Sequence, residues 1–346
     1  MNSRHKTGNR DVQIALVYNS EDKLTVGEPH DLIALQDTVN IAQHLYGAIT
    51  SLGYPAIKIP IHNSLDELRQ QLQPLSTEAT FIFNICDGFQ GKSNGAVHVI
   101  KEIEELGFKY TGSSAAVYAL CTNKANAKRR LIEYDLPTPA FQVFEQPAGN
   151  IQISFPAIVK PVAESASLGI DLGSVVNNPE QLLARVTYVI ECYQQPALAE
   201  VFMPGREFAV ALWGNEQVEV LPISEEDYMH ISDPLERLLT YEAKWMPESP
   251  FFQNIFIRCP AELPPQVEAR LIEICSAAYQ AIGLRDFGRI DLRYYNGALN
   301  IIDINDNPDL SLAAGFPHSA EVGGYSYPEM TERILDFALK RVGWRD

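Results

Sequence analysis

The N-terminal quarter of the chain alternates between apolar runs and amphipathic segments, and this alternation restricts the possible folds more than any other feature. Runs with the pattern of buried strands alternate with helical periodicity, in the order 12–18, 37–52, 57–61, 64–72 and 80–85. Parallel strands joined by helices form α/β sheets that bind ligands at the carboxyl ends of their strands. The sequence therefore predicts a Rossmann-like parallel sheet with a ligand site at one edge.

Polar residues follow the third predicted strand at that edge. Asp87 and Gln90 lie just after it and are candidates for substrate binding. The alternative is that Asp87 and Gly88 only form a turn. In the preceding helix, Ser64 is the expected N-cap and Glu67 occupies the capping-box position.

Composition argues against nucleic-acid binding. The 346 residues suffice for two or three domains, and 46% hydrophobic with 21% charged residues is ordinary for a globular protein. The net charge of −17 comes without a sustained basic stripe, which binding to a phosphate backbone requires. An acidic protein also repels ATP and small acids, so any site for them must gather its few cations locally.

The start of the chain and its cysteines indicate the compartment. Five widely spaced cysteines without a C-x-x-C pair fit a reducing environment. The polar N-terminal residues lack the pattern of a signal peptide, and no apolar run has the length of a membrane span. We therefore expect a cytoplasmic protein without a membrane partner, and a disordered tail at residues 1–10.

The middle of the chain carries short patterns associated with nucleotide binding. A strand at 155–161 contains Lys160, and a loop of small residues at 164–169 follows it. The backbone N–H groups of such loops can approach phosphate oxygens because no large side chain blocks them. A later strand ends in Glu200, Val201 and Phe202, where backbone groups suit an adenine edge, although a plain sheet strand is the simpler alternative.

Further helices and one irregular segment complete the outline. Helical periodicity predicts helices that begin near residue 115 and run on past Lys124, and that cover 179–192, 262–282 and 327–342. Residues 224–250 show little regular pattern and predict a lid or binding loop. The alternative for this segment is a disordered connection.

The most specific chemical pattern is a hairpin at 287–308. Alternation places Arg289, Asp291 and Arg293 on one face of the first strand. On the second strand it places Asp303 and Asn305 on one face, opposite Ile302 and Ile304. Carboxylate and amide oxygens suit Mg²⁺, which proteins typically hold together with the phosphate oxygens of a nucleotide. The alternative is a surface hairpin whose acids are solvated.

The register of this hairpin tests the metal site. A strict two-residue turn at Asn296 and Gly297 would pair Asp291 with Ile302, so that Asp291 and Asp303 point apart. The acids converge only if the register differs by one residue. We expect a three-residue loop with Gly297 in the left-handed conformation, which makes a bulge and supplies that shift.

These motifs, in this order, resemble the ATP-grasp fold and, within it, the D-alanine:D-alanine ligase family. The resemblance covers about the last two thirds of the chain and rests on Tyr110-Thr-Gly-Ser113, Asn123-Lys124, Phe155-Pro-Ala-Ile-Val-Lys160, Glu200-Val-Phe-Met-Pro-Gly-Arg-Glu207, Tyr241-Glu-Ala-Lys244, Gly288-Arg-Ile-Asp291 and Ile302-Asp-Ile-Asn305. It implies an α/β (α+β) architecture with an N-terminal Rossmann-like domain at 11–112, a small central domain at 113–200 and a C-terminal domain at 201–346. The C-terminal domain would contain an antiparallel sheet and a lid loop at 224–250.

The resemblance also implies roles for individual residues. ATP would be bound by Lys124, Lys160, Glu164, Glu200, Val201, Phe202 and Glu207, and two Mg²⁺ ions by Asp291, Asp303 and Asn305. Lys244, Arg289 and Ser167 would act on the transferred phosphoryl group, because phosphoryl transfer depends mainly on positioning and charge neutralisation. Family members are commonly homodimers, and a homodimer is implied here.

Departures from the family pattern concern the amino-acid substrates. Asp303 stands where the family has Glu, Ala166 where it has Ser, and Trp245 where it has Tyr. The N-terminal Glu motif is missing, and Asp309 replaces a Gly that helps to bind the second D-alanine. A carboxylate at that position opposes a substrate carboxylate. Candidate substrate contacts are Asp87, Gln90, Ala166, Trp245, Asp309 and Ser311.

The resemblance thus implies an ATP-dependent ligase that joins a carboxylate to an amine through an acyl phosphate, with substrates other than two D-alanines. The segment Asn84-Ile-Cys-Asp-Gly-Phe-Gln-Gly91 is similar to that of the cyanobacterial ligases that join mycosporine-glycine to serine or threonine. Two alternatives stay open, namely a true D-alanine:D-alanine ligase and a regulatory protein that binds ATP without turnover.

Overall fold

The computed structural model describes residues 11–20 and 23–345, and the predicted tail at 1–10 lies outside them. The strands are β1 (Gln13–Asn19), β2 (Ala56–Ile61), β3 (Thr80–Asn84), β4 (Lys109–Tyr110), β5 (Phe141–Phe144), β6 (Ala157–Pro161), β7 (Val175–Val176), β8 (Ala197–Val201), β9 (Arg206–Gly214), β10 (Val218–Val220), β11 (Ser224–Asp227), β12 (Phe256–Arg258), β13 (Asp286–Tyr295) and β14 (Ala298–Asn305). The helices are α1 (Leu32–Ser51), α2 (Leu65–Leu72), α3 (Ala96–Glu105), α4 (Ala115–Thr122), α5 (Lys124–Glu133), α6 (Pro179–Tyr193), α7 (Tyr241–Trp245), α8 (Pro250–Asn254), α9 (Pro265–Ile282), α10 (Gly315–Val322) and α11 (Tyr327–Arg341).

The first sheet is the predicted parallel one. Its strands lie in the order β2-β1-β3-β4, and every pair in it is parallel. Ser64 caps α2 by accepting a hydrogen bond from the backbone of Asp66, as predicted. Glu67 differs from the prediction, because its carboxylate accepts from the backbone N–H of His62 at 3.0 Å instead of closing a capping box.

The other two sheets are antiparallel. The second has the order β5-β8-β6-β7 and is covered by α6, whose apolar side chains pack into its core. The third has the order β12-β11-β9-β13-β14, with β10 added beside β9. The predicted combination of one parallel sheet, a small central sheet and a C-terminal antiparallel sheet is confirmed.

The predicted long helix past Lys124 is two helices. Asn123 leaves the helical conformation, with φ −86° and ψ 95°, and its side chain accepts a hydrogen bond from the backbone of Asn126 at 3.0 Å. This cap ends α4 and begins α5, because an asparagine side chain competes with the helix for backbone partners. Lys124 is therefore the first residue of α5.

Residues 224–250 are more regular than the sequence suggests. Ser224–Asp227 is strand β11, which lies between β9 and β12 in the third sheet. Tyr241–Trp245 forms the short helix α7. The irregular part of the predicted lid is thus limited to the stretch between β11 and α7.

The β13–β14 hairpin has the predicted convergence of acids but a different cause. Asn296 and Gly297 both have positive φ, 50° and 79°, and form a strict two-residue turn, so the expected three-residue loop is wrong. The register shifts further along, between Asp291 and Leu292, where Asp291 pairs with Asp303 and Leu292 with Ile301. Ile302 is the extra residue of this bulge. The predicted face is corrected accordingly, since Ile301 rather than Ile302 shares the buried face with Ile304.

Packing links the three sheets. Apolar residues of α11 and of β13 share one core with β1 and β3, while α4 and α5 pack with α9 on the third sheet. Helices α4 and α5, which lie in the sequence between the first and second sheets, therefore pack on the third sheet. In the described part of the chain, no helix has both the length and the apolar character needed to cross a membrane.

Candidate active site

A cleft that opens to solvent lies where the three sheets meet. Most residues predicted for the site line it, although they come from segments far apart in the chain. These are Asp87, Lys124, Lys160, Glu164, Ala166, Ser167, Glu200, Val201, Phe202, Glu207, Lys244, Trp245, Arg289, Asp291, Asp303, Asn305 and Asp309. The fold therefore gathers them at one place.

Gln90 and Ser311 are not among the lining residues, so the structure does not support their predicted substrate contacts. The side-chain amide of Gln90 instead donates a hydrogen bond to the carbonyl of Asn63 at 3.0 Å. Ser311 lies beyond Asp309, and its backbone N–H donates to the Asp309 carboxylate at 2.7 Å.

One wall of the cleft carries a buried group of charges. Glu200 lies between two lysines, with Lys160 Nζ 2.5 Å and Lys128 Nζ 2.6 Å from its carboxylate oxygens. Burial opposes the charge on Glu200, but the two ammonium groups lower its pKa below the ordinary value. The Glu200 carboxylate favours the charged form of Lys160, whose side chain lines the cleft and could contact a phosphate there.

The predicted metal ligands converge on the hairpin. Asp291 accepts two hydrogen bonds from the Arg289 guanidinium, at 2.8 and 2.9 Å, and one from the Asn305 amide at 3.0 Å. Asp303, directly across the strand pair, accepts from Lys124 Nζ at 2.8 and 2.9 Å. Burial opposes the charge on Asp303, while Lys124 and Lys160 lower its pKa.

These oxygens fit Mg²⁺. Two ionised carboxylates and an amide suit an ion that takes one or two protein carboxylates and completes its shell with phosphate oxygens and water. Among the described residues, no group of three or more His, Cys, Asp and Glu side chains could hold a metal ion by itself. The site thus fits an ion that arrives with a nucleotide better than a metal enclosed by protein alone.

The small-residue loop and helix α7 are in direct contact. Trp245 Nε1 donates to the carbonyl of Ala166 at 3.0 Å, and Ser167 Oγ donates to the carbonyl of Leu239 at 2.9 Å. Ala166 and Ser167 have φ values of 54° and 61°, so the loop turns its backbone in a conformation that non-glycine residues rarely adopt. The segment predicted to be a lid is therefore in contact with the loop.

A second contact joins α7 to the segment before α1. The Tyr241 hydroxyl donates to the carbonyl of His30 at 2.5 Å, and the rings of these residues lie 4.7 Å apart. Nearby, the Tyr193 hydroxyl donates to buried Asp31 at 3.2 Å. The segment before α1 thus contacts both α7 and the end of α6.

The far end of the cleft contains aromatic and charged groups. Glu207 accepts from the Arg293 guanidinium and from the Tyr228 hydroxyl, the latter at 2.8 Å. The same guanidinium lies 5.2 Å from the centre of the Phe202 ring. The backbone N–H groups of Val201 and Phe202 already donate to the carbonyls of Ala140 and Pro156, so they are not available to an adenine edge.

Another part of the cleft lining is acidic. Asp87 accepts from the Thr38 hydroxyl at 3.2 Å, and burial, together with the charge of Asp309, raises its pKa to about 6. Asp306 is only 6% exposed, and burial raises its pKa to about 7. Lys244 Nζ lies 3.9 Å from Asp309 and 5.0 Å from the centre of the Trp245 ring.

Sequence reasoning missed several of these groups. Lys128 follows Lys124 by one helical turn, so periodicity from a predicted site residue could have indicated it. Arg293 was placed on the predicted face of its strand but was given no role in the site. Glu226 pairs with Glu207 across β11 and β9, and burial, followed by the charge of Glu207, raises its pKa to about 8. Neither Glu226 nor Asp306 carried a sequence signal, because each is distinguished only by its surroundings.

Comparisons with known proteins agree with this geometry. A family model described as D-ala D-ala ligase C-terminus matches residues 133–336. A D-alanine–D-alanine ligase of Halorhodospira halophila is 32% identical over 254 residues, which cover 72% of this chain and 77% of the relative. An uncharacterized protein of Sinorhizobium fredii is 34% identical over 270 residues, covering 78% of this chain and 77% of that protein.

A solved structure shows the same fold. The D-alanine–D-alanine ligase from Bacillus anthracis complexed with ATP superposes with a TM-score of 0.74 at 18% identity, over 95% of this chain and 98% of that one. Together with the sheet topology, this likeness identifies the ATP-grasp fold. Because the family model covers more than half of the sequence, the chain belongs to the D-alanine–D-alanine ligase family.

Proposed function

We propose that the chain is an ATP- and Mg²⁺-dependent ligase that joins a small carboxylic acid to an amine through an acyl phosphate and releases ADP and phosphate. The observation that carries the proposal is the bulge that pairs Asp291 with Asp303, next to Arg289 and Lys124. Two acids and two cations thereby meet where the phosphates of a nucleotide would reach them.

Each group has a defined task in this reaction. Lys124 and Lys160 would hold the phosphates, and Asp291, Asp303 and Asn305 would hold two Mg²⁺ ions, which would supply positive charge beside the phosphate oxygens. Arg289 and Lys244 stabilise the charge that develops on the transferred phosphoryl group, and Ser167 helps to fix the loop beside it. The closed lid excludes water that would hydrolyse the acyl phosphate.

The substrates proposed are not two D-alanines. Asp87 and Asp309 both line the cleft at its substrate end, where a D-alanine carboxylate would meet two acids. The pair of mycosporine-glycine with serine or threonine is a finer candidate, supported by the resemblance of residues 84–91. A regulatory protein that binds ATP without turnover is the second candidate, since Asp303 is already paired with Lys124.

ADP release over a matrix of acids and amines, with the masses of the products, tests the proposal. We expect release that needs both an acid and an amine and that is lost in Asp291→Asn at saturating Mg²⁺. Glu273→Gln, an exposed change on α9, is the matched control and should keep full activity. ATP binding without release across the whole matrix would favour the regulatory protein, and substantial activity of Asp291→Asn would remove the metal role of that residue.

A further inference from the structure

The loop between α5 and β5 is bound to the edge of β14 beside the bulge. Ile301 directly precedes the extra residue Ile302. It donates its N–H to the carbonyl of Pro137 at 2.9 Å, and its own carbonyl accepts from the Thr138 hydroxyl at 2.9 Å. Because β14 is the last strand of the third sheet, the loop takes the place of a further strand at this one residue.

The Thr138 hydroxyl has a second partner, which fixes its direction. Lys128 Nζ lies 2.8 Å from Thr138 Oγ1. Since an ammonium group can only donate, the hydroxyl accepts from Lys128 and donates to Ile301. Lys128 is 2% exposed, and its Nζ also lies 2.6 Å from the Glu200 carboxylate. One hydroxyl thus joins the buried charges of the cleft wall to the backbone next to the bulge.

Helix α5 closes these contacts into a ring. Its first residue, Lys124, donates to Asp303, and Lys128 follows one helical turn later. From Lys128 the ring continues through Thr138 to Ile301, which precedes Asp303 by two residues. The ring restricts where Asp303 can lie relative to the helix, because the strand around it is held at two points.

The bulge needs such support, because the turn of the hairpin does not dictate it. The two-residue turn is equally compatible with a regular register, in which Asp291 would face Ile302 and Asp303 would point to the other face of the sheet. That register would separate the two acids proposed to hold Mg²⁺. The Thr138 hydroxyl binds the peptide group between Ile301 and Ile302, where the regular pairing ends.

We propose that Thr138 is a positioning residue. Through Lys128 and Ile301 it holds the bulge at a set distance from the cleft wall, so that a nucleotide on the wall and Mg²⁺ on the hairpin can bind together. Thr138 and Lys128 do not belong to the described lining of the cleft, so both act through their partners. The inference rests on the proposed function, because it concerns the nucleotide and metal sites of that reaction.

Thr138→Val tests the link, because valine is close to threonine in shape but has no hydroxyl. Lys128 keeps its Glu200 partner in this variant, so the cleft wall is retained. Isothermal titration calorimetry of the full chain with a non-hydrolysable ATP analogue, in saturating Mg²⁺ and again in EDTA, measures how much Mg²⁺ increases the affinity. We expect this increase to fall about fivefold or more in Thr138→Val, while the affinity in EDTA stays within about twofold of the native value.

Two further variants separate positioning from a general loss of structure. Thr138→Ser keeps the hydroxyl and should restore most of the Mg²⁺-dependent increase. Thr187→Val removes a comparable hydroxyl, which donates to the carbonyl of Leu183 within α6 at 2.8 Å, and should leave the increase unchanged.

The outcomes distinguish this inference from the proposed function. The positioning role is overturned if the increase is unchanged in Thr138→Val, falls equally in Thr187→Val, or is not restored in Thr138→Ser. ADP release together with such a result would leave the ligase in place. If the increase depends on Thr138 but no acid and amine release ADP, the proposed ligase fails and the positioning role stands. Absence of any increase in the native protein would overturn both the metal site and the positioning role.

Discussion

At the scale of single residues, a substitution of Arg289 can distinguish a role in phosphoryl transfer from a role in nucleotide binding. Its guanidinium is held by Asp291 through two hydrogen bonds and lines the cleft. We expect Arg289→Ala to lower kcat about 100-fold, because a preorganised positive charge near the transferred phosphoryl group is lost. Steady-state kinetics with a substrate pair that releases ADP measure this change. An effect confined to the KM for ATP would assign Arg289 to nucleotide binding instead.

Glu226 is the residue that should make stability depend on pH. Its carboxyl ionises near pH 4.5 in the unfolded chain, whereas burial and the charge of Glu207 raise its pKa to about 8 in the folded protein. Between these values the folded state binds more protons, so the contribution of Glu226 to stability falls as pH rises.

Glu226→Gln removes this ionisation. Relative to the native protein, the variant should gain about 1 kcal/mol or more in free energy of unfolding between pH 5 and pH 8, since one pKa unit corresponds to about 1.4 kcal/mol and the residue is partly exposed. Urea unfolding at both pH values provides the measurement, with Glu273→Gln as an exposed control. A difference that is the same at both pH values would show that Glu226 ionises normally.

At the scale of elements, helix α7 is the part of the predicted lid that contacts its surroundings through side-chain hydrogen bonds. Trp245 and Tyr241 each donate one side-chain hydrogen bond, to the loop at Ala166 and to the segment before α1 at His30. Trp245→Phe and Tyr241→Phe keep an aromatic ring but lose that bond, which is worth about 1 kcal/mol.

We therefore expect each variant to open the lid about fivefold more often and to increase ADP release without coupled product by a similar factor. The ratio of ADP to ligated product measures the uncoupling. Tyr295→Phe, at the exposed end of the hairpin, should leave the ratio unchanged. A normal ratio in both lid variants would mean that closure depends on other contacts.

At the scale of the whole molecule, Asp286 joins three parts of the fold. Its fully buried carboxylate accepts from the backbone of Gly112 at 2.8 Å, from the side chain of Asn215 at 3.1 Å and from Arg341 at 2.8 Å. These partners belong to the end of the first sheet, to the third sheet and to helix α11. The carboxylate thus connects elements that are far apart in the sequence.

Removal of this carboxylate should destabilise the whole protein. Asp286→Ala leaves Arg341 and the Gly112 N–H without their partner, and we expect a loss of about 3–5 kcal/mol in free energy of unfolding. Glu273→Ala removes one partner of the exposed ion pair between Arg270 and Glu273, and it should lower the free energy of unfolding by less than about 1 kcal/mol. Urea unfolding compares the two, and a similar small loss in both would show that Asp286 does not connect the parts energetically.

Much of the fold could be predicted because its signals are local. The parallel sheet follows from apolar runs and helical periodicity within short windows, and the cap at Ser64 from a single residue. The strand at Ser224–Asp227 could not be read in the same way, because tertiary pairing overrides weak propensity there. The break at Asn123 is a local cap, which helical periodicity alone does not register.

By itself the sequence determined the family, the types of sheet and the order of the residues proposed for the site, since each is encoded by neighbouring residues. Only the tertiary structure decided which charges meet. The bulge at Ile302 brings Asp291 and Asp303 together, and long-range packing buries Asp306, which forms no ion pair with another described residue. The physical reason is that pairing and burial depend on distances between residues far apart in the chain, which no local pattern records.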